Sequence, residues 1–222
     1  VARQRAVSGG GRAIEVPPER LAGWFERFAE RNGGVTGTEL SARRVVVTGG
    51  DGTTATVEVP FEPLDAEGVR PGLCVAPLVA HLLLPRRIGL LLVRLGGHSV
   101  GVALGGSVTV SRTDRRLVHG RNSAGGWSQQ RFARRREGQA RQALRAAAED
   151  ALEVLGSRLS EVDAVVLGGD RRALAELRED ARLAPLFARA ESRILDVGEP
   201  RRSVLDDAAE RAVAVEIVVR DT

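Results

Sequence analysis

The chain has 222 residues and a formal net charge of +4, enough length for one large domain, or for a domain of about 100 to 150 residues with a smaller companion. Its single cysteine, Cys74, excludes an internal disulfide and any multi-cysteine zinc site, and suits a reducing cytoplasm. Five Phe, two Trp and no Tyr leave an aliphatic core of Leu, Val, Ala and Ile, and the longest apolar runs are broken by His81, Pro85, Arg86 and Arg94 before they could span a bilayer, so a soluble protein is expected.

Residues 1–11, rich in Gly and Arg at a terminus, are expected to be disordered, and the start of the chain lacks the apolar core of a secretory leader. Residues 13–16 predict a short strand. Pro17-Pro18-Glu19 opens a helix whose Leu21, Trp24, Phe25 and Phe28 recur at helical spacing, and Gly33-Gly34 ends it. Runs at 43–48 and 54–60 flank Gly49-Gly50-Asp51-Gly52, the pattern of a hairpin. Residues 75–84 fit helix or strand equally. The stretch 12–85 thus reads as a smaller N-terminal α+β region, and no motif in it assigns a role.

Pro85-Arg86-Arg87 marks a boundary. After it, residues 88–95, 99–104 and 107–111 predict three strands joined by glycine pairs, a meander whose last strand extends through 116–119 toward a glycine loop. A long helix from Ser128 to about residue 155 sets Phe132, Ala140, Leu144, Ala147, Ala151 and Leu155 on one stripe, with Gly156 as its stop. Strands at 164–167, 193–197 and 215–219 then alternate with helices at 171–182 and 201–213. Such alternation predicts an α/β domain over 86–222, a mixed sheet with parallel neighbours and helices on both faces. Asp170 reads as a helix N-cap, and His81 and His98 as structural residues.

Charge is placed unevenly. Residues 112–145 carry ten Arg against Asp114 and Glu137, whereas 146–222 carry 11 Arg against 17 acids. The chain has no Lys, so a bias toward Arg explains part of the arginine count but not its clustering. The cluster surrounds the stretch 119–136, His-Gly-Arg-Asn-Ser-Ala-Gly-Gly-Trp-Ser-Gln-Gln-Arg-Phe-Ala-Arg-Arg-Arg. Gly125 and Gly126 free the backbone to enter spaces where a Cβ would collide, and Ser128 is placed to cap the helix that follows. Arg131, Arg134, Arg135 and Arg136 then crowd the first turns, the end where the macrodipole favours negative charge. A polyanion lying against these turns removes the conflict, because arginines and free helix N–H groups both bind phosphate. Arg121 and Arg141 extend the same basic surface.

The stretch His119-Gly120-Arg121, Gly125-Gly126, Ser128 and Arg131-Phe132-Ala133-Arg134 resembles the Gly-Gly-Gln loop and helix start in the middle domain of eukaryotic and archaeal class I release factors. The resemblance extends over roughly 86–222 and implies the fold of that domain. Two departures are visible: Asn122-Ser123-Ala124 looks like an insertion, and Trp127 stands where that family has its glutamine. A Gly-Gly-x-x-Gln spacing, with Gln129 and Gln130 following, is instead similar to the VLRF group of release-factor-like peptidyl-tRNA hydrolases of ribosome quality control, which has an actinobacterial branch. Eukaryotic members add a zinc finger and ankyrin repeats, for which this chain has neither the cysteines nor the length.

That resemblance implies a cytoplasmic carboxylic ester hydrolase, acting as a monomer on the large ribosomal subunit, that cleaves the ester between a nascent peptide and the terminal ribose of tRNA. Gly125, Gly126 and Gln129 would form the catalytic tip, with Gln130 as the fallback glutamine. Arg121, Arg131, Arg134, Arg135, Arg136 and Arg141 would neutralise tRNA or rRNA phosphates, and Trp127 would stack on a base. Glutamine has no useful pKa, so its part is restricted to positioning water and stabilising the oxyanion. Neither cofactor nor metal is expected. The competing reading is a non-catalytic RNA-binding module that occupies the ribosomal tRNA site, in which the arginines matter and the glutamines do not. A metal-dependent nuclease would need clustered carboxylates, and the loop region offers only Asp114 and Glu137. A P-loop is missing, and the Gly-x-Ser-x-Gly spacing at 97–101 runs into a predicted strand instead of the helix that a nucleophile elbow requires.

Overall fold

The computed structural model describes residues 3–94, 96–115 and 127–221, with backbone alone for Arg115 and for 127–136. The first part of the chain forms β1 (Gln4–Ala6), β2 (Arg12–Val16), α1 (Pro18–Arg31), β3 (Val35–Leu40), β4 (Arg44–Gly49), β5 (Thr54–Glu58), β6 (Gly68–Pro71) and α2 (Ala76–Leu83). The second forms β7 (Arg87–Arg94), β8 (Gly97–Leu104), β9 (Ser107–Arg115), α3 (Trp127–Val154), β10 (Ala164–Gly169), α4 (Arg171–Arg178), α5 (Ala184–Phe187), β11 (Ala190–Leu195) and α6 (Arg202–Ala212). The final strand is β12 (Val215–Arg220). Two compact units result: Val1–Pro85 with Val213–Thr222, and Arg86–Ala212.

In the first unit, seven strands in the order β1-β2-β12-β5-β4-β3-β6 form a sheet in which every pairing is antiparallel. Helix α1 starts at Pro18, where a missing N–H costs no helical hydrogen bond. It buries Leu21, Phe25 and Phe28 against Val45, Val47, Ala55 and Val57 of the central hairpin and Val215, Ile217 and Val219 of β12. The hairpin turn needs glycine at position 50, because a Cβ there would lie 2.3 Å from the Gly33 carbonyl oxygen. Residues 75–84, open between helix and strand on sequence, contain a helix: Leu78 and Leu82, one turn apart, are the residues α2 buries.

Two expectations are corrected here. Gln4–Ala6, within the stretch expected to be disordered, is an edge strand. All three of its residues are exposed, so no burial pattern announced it; it is held by its ladder to β2 and by the Arg5–Glu216 ion pair at 2.7 Å. The alternation of elements predicts the strand at 215–219 in the C-terminal domain's sheet, but β12 pairs with β2 and β5 in the N-terminal one. The domain expected at 86–222 therefore loses its last strand, and the second unit closes at Ala212.

The second unit is α/β, as its alternating elements predict. Its five-stranded mixed sheet has the order β11-β10-β7-β8-β9, with β10 parallel to β7 and β11, and β7-β8-β9 an antiparallel meander. Helices cover both faces. On one, Ala147, Ala151, Val154 and Leu155 at the end of α3, with Leu174 and Leu177 of α4, pack on Leu91, Val93, Val100, Val102, Val165 and Leu167. Gly101 alternates with Val100 and Val102 and so faces the other way, where a Cβ would meet Leu205 of α6 at 3.0 Å. Asp170 caps α4, its carboxylate accepting from the backbone N–H groups of Arg172 and Ala173. The helix expected over 171–182 ends earlier, at Arg178, and Asp180 starts a separate short turn at Ala181–Leu183.

Candidate functional site

Strand β9 and helix α3 bracket the segment in which the sequence places the catalytic tip. Arg121, Gly125 and Gly126 lie outside the described residues. Trp127, Gln129, Gln130, Arg131, Arg134, Arg135 and Arg136 are described as backbone only, in the first turns of α3. The helix begins at Trp127, so Ser128 sits inside the first turn rather than at the capping position expected for it.

Helix α3 has 28 residues, roughly 42 Å at the usual rise per residue. Its apolar stripe engages the core only late. Between Glu137 and Ala146 no residue is buried; the first that are fully buried are Ala147 and Ala148, followed by Ala151 and Val154. Trp127 therefore stands roughly 30 Å along the helix from the first anchoring alanine. Small residues in the anchor let the helix lie close to the strands. Just past its end, the fully buried Leu155 fills the hollow over Gly89, where a Cβ would come within 3.2 Å of a Leu155 methyl.

Polar contacts secure the same end. His98 on β8 is 3% exposed, and its Nε2 lies 2.8 Å from an Asp150 carboxylate oxygen. The other Asp150 oxygen is ion-paired with Arg112 of β9 at 3.2 Å, and Arg112 also reaches Glu153. Glu149 is met by Arg182 at 2.8 Å. Arg182 also grips Asp180, and these hydrogen bonds hold the Asp180 carboxyl below its ordinary value. The acidic end of α3 is thus neutralised within the unit. Nearer the loop, Arg141 and Arg145 are exposed and make no ion pair or side-chain hydrogen bond among the described residues.

Reading the sequence identified His98 as structural but missed its partner. The available signal was the odd placement of a histidine among the apolar residues of a buried strand, which calls for a polar group on the facing helix. Among the described residues no three His, Cys, Asp or Glu side chains are grouped to hold a metal ion, and no helix is long and apolar enough to cross a membrane.

No curated protein matches the sequence significantly. Solved structures with similar folds include an archaeal protein (16% identity over 73% of this chain and 48% of that one, TM-score 0.40). The archaeal translation termination factor aRF1 shares 14% identity over 90% of this chain and 63% of its own (TM-score 0.44). Dom34 of S. cerevisiae, a translation termination-like factor involved in RNA quality control pathways and interacting with Hbs1, shares 9% over 92% and 65% (TM-score 0.32). The chain spans between about half and two thirds of the length of these proteins. Residues 86–218, the whole second unit and the beginning of β12, match the Actinobacteria/chloroflexi VLRF1 release factor family. The chain belongs to that family, and is a release-factor-like protein of translation.

Proposed function

We propose that the chain is a peptidyl-tRNA hydrolase that frees nascent peptides on stalled large ribosomal subunits in the cytoplasm, acting as a monomer. The observation that carries this reading is the coincidence of the family match over 86–218 with a Gly125-Gly126-x-x-Gln129 sequence whose Gln129 falls in the first turn of α3, several turns before the buried Ala147. A narrow glycine tip suits entry into a crowded RNA cavity, and cationic turns behind it suit the phosphates that line such a cavity.

In the proposed reaction a water oxygen attacks the ester carbonyl carbon, and the bond from that carbon to the ribose oxygen breaks. The ribose hydroxyl leaves protonated. A carboxamide cannot take the water's proton, so that proton passes to a substrate hydroxyl or to solvent. Gln129 holds the water in line and donates toward the developing oxyanion, with Gln130 one position further along the helix as the second candidate. Arg121, Arg131, Arg134, Arg135, Arg136 and Arg141 grip tRNA or rRNA phosphates, and Trp127 stacks on a base.

Incubating large subunits that carry labelled peptidyl-tRNA with the wild-type chain, Gln129→Ala and Gln130→Ala tests the assignment. Release that fails with Gln129→Ala and persists with Gln130→Ala supports it. The released tRNA should be intact and able to accept an amino acid again; a shortened tRNA would identify a nuclease instead. Release unchanged in both variants would overturn the glutamine assignment, and a wild-type chain that releases no peptide beyond subunits alone would leave the non-catalytic RNA-binding reading.

A further inference from the structure

The first unit contains a cavity that the proposed hydrolysis does not use. It has a volume of about 350 Å³ and lies between the last turns of α1 and the strands β1, β2 and β12. Its apolar wall is Trp24 and Phe28, whose rings stack at 5.8 Å with an interplanar angle of 15°. Its rim is cationic: Arg12 from β2 and Arg27 and Arg31 from α1 line it, and no carboxylate does. All three arginines are exposed, and none makes an ion pair or side-chain hydrogen bond among the described residues.

Several arginines elsewhere are matched locally, as Arg5 is by Glu216, Arg43 by Glu62, Arg87 by Glu161 and Arg202 by Asp206. Around the cavity three guanidinium groups stand together without an anion. On α1, Trp24, Arg27 and Arg31 are spaced three and four residues apart, which puts them along one stripe. Gly23 leaves room for the Arg27 guanidinium, which would lie 3.3 Å from a Cβ at that position. Amides complete the lining. Gln4 is exposed, while Asn32 is fixed by its Nδ2, which donates to the Phe28 carbonyl at 2.6 Å, leaving its own carbonyl oxygen as an acceptor.

We infer that this cavity binds a nucleoside phosphate, its base against Trp24 and its phosphate between Arg12, Arg27 and Arg31. A flat aromatic wall favours a π-face, and planar guanidinium forks match phosphate oxygens. The volume lies within the range of small-ligand pockets. Cations alone would serve any anion; the aromatic wall and the base-reading amides beside them select a nucleotide. Such a group can be presented by a single-stranded RNA or arrive as a free mononucleotide. The inference rests on the cavity alone and is independent of the proposed hydrolysis, so a negative peptide-release assay leaves it standing.

Trp24 and Trp127 are the two tryptophans of the chain, so Trp127→Phe makes Trp24 the sole reporter in the full-length protein and removes the stacking residue proposed at the loop. Titration with a five-nucleotide RNA or with AMP should quench Trp24 saturably. Adding Arg27→Gln and Arg31→Gln should weaken the response about tenfold or more, the loss expected from two charge-assisted contacts. RNA binding much tighter than AMP identifies strand recognition; equal affinity identifies a free nucleotide. In the unsubstituted chain, photocrosslinking of a 4-thiouridine RNA should map to the peptide carrying Trp24. Quenching absent up to millimolar ligand together with no such crosslink, an affinity indifferent to the arginine substitutions, or equally strong occupation by polyglutamate would overturn the inference.

Discussion

The two ends of α3 are built on opposite electrostatic plans. At the far end, Glu149, Asp150 and Glu153 are matched by Arg182, Arg112 and His98, and alanines seat the helix on the sheet. At the near end the sequence crowds Arg131, Arg134, Arg135 and Arg136 into the first turns, and among the described residues Arg141 and Arg145 have no counter-charge. Charges that are answered inside the fold fix a helix in place, whereas unanswered ones stay available to a ligand. One helix therefore joins an anchored end to a cationic one.

Substitutions sharpen this comparison by separating stability from binding. The largest effect on folding is expected from Leu155→Ala, which empties the hollow over Gly89 and should cost about 2 to 5 kcal/mol in urea unfolding. Asp150→Ala should cost about 1 to 3 kcal/mol, because it leaves the buried His98 ring without its partner; the same measurement reads it. A loss within the error of the experiment at either site would break the anchor half of the comparison. Arg141→Gln, in the other half, should change stability by no more than about 0.5 kcal/mol. It should instead reduce the slope of log affinity for large subunits against log salt by somewhat under one. A stability loss as large as that of Asp150→Ala would show that Arg141 serves the fold.

Much of this architecture is written in local patterns. Glycine pairs between β-branched runs mark the hairpin of β4 and β5 and the meander of β7, β8 and β9, because only such turns reverse a strand in so few residues. The length of α3 follows from its repeating apolar stripe. The destination of β12 was misjudged, although a signal existed. Strand β10 is buried on both faces, residue after residue from Ala164 to Gly168, as a central parallel strand must be. Strand β12 alternates buried with half-buried positions, and Glu216 interrupts its apolar run, the mark of an antiparallel strand. Strand β1 had no such mark, since a wholly exposed edge strand is held by backbone hydrogen bonds that any sequence can make. The cationic cavity was equally hidden: Arg12, Arg27 and Arg31 are far apart in the chain or spaced like a solvated helix face, and only folding gathers them around Trp24.

The central claim is that an uncharged amide acts on the ester while arginines behind it hold the RNA. Single-turnover peptide release and large-subunit binding, measured on the same preparation of Gln129→Ala, test it most directly. The account predicts release slowed by about 10²- to 10³-fold, the usual cost of losing an oxyanion-stabilising group, with binding unchanged. Release at the wild-type rate, or a loss of release matched by an equal loss of binding, would contradict it.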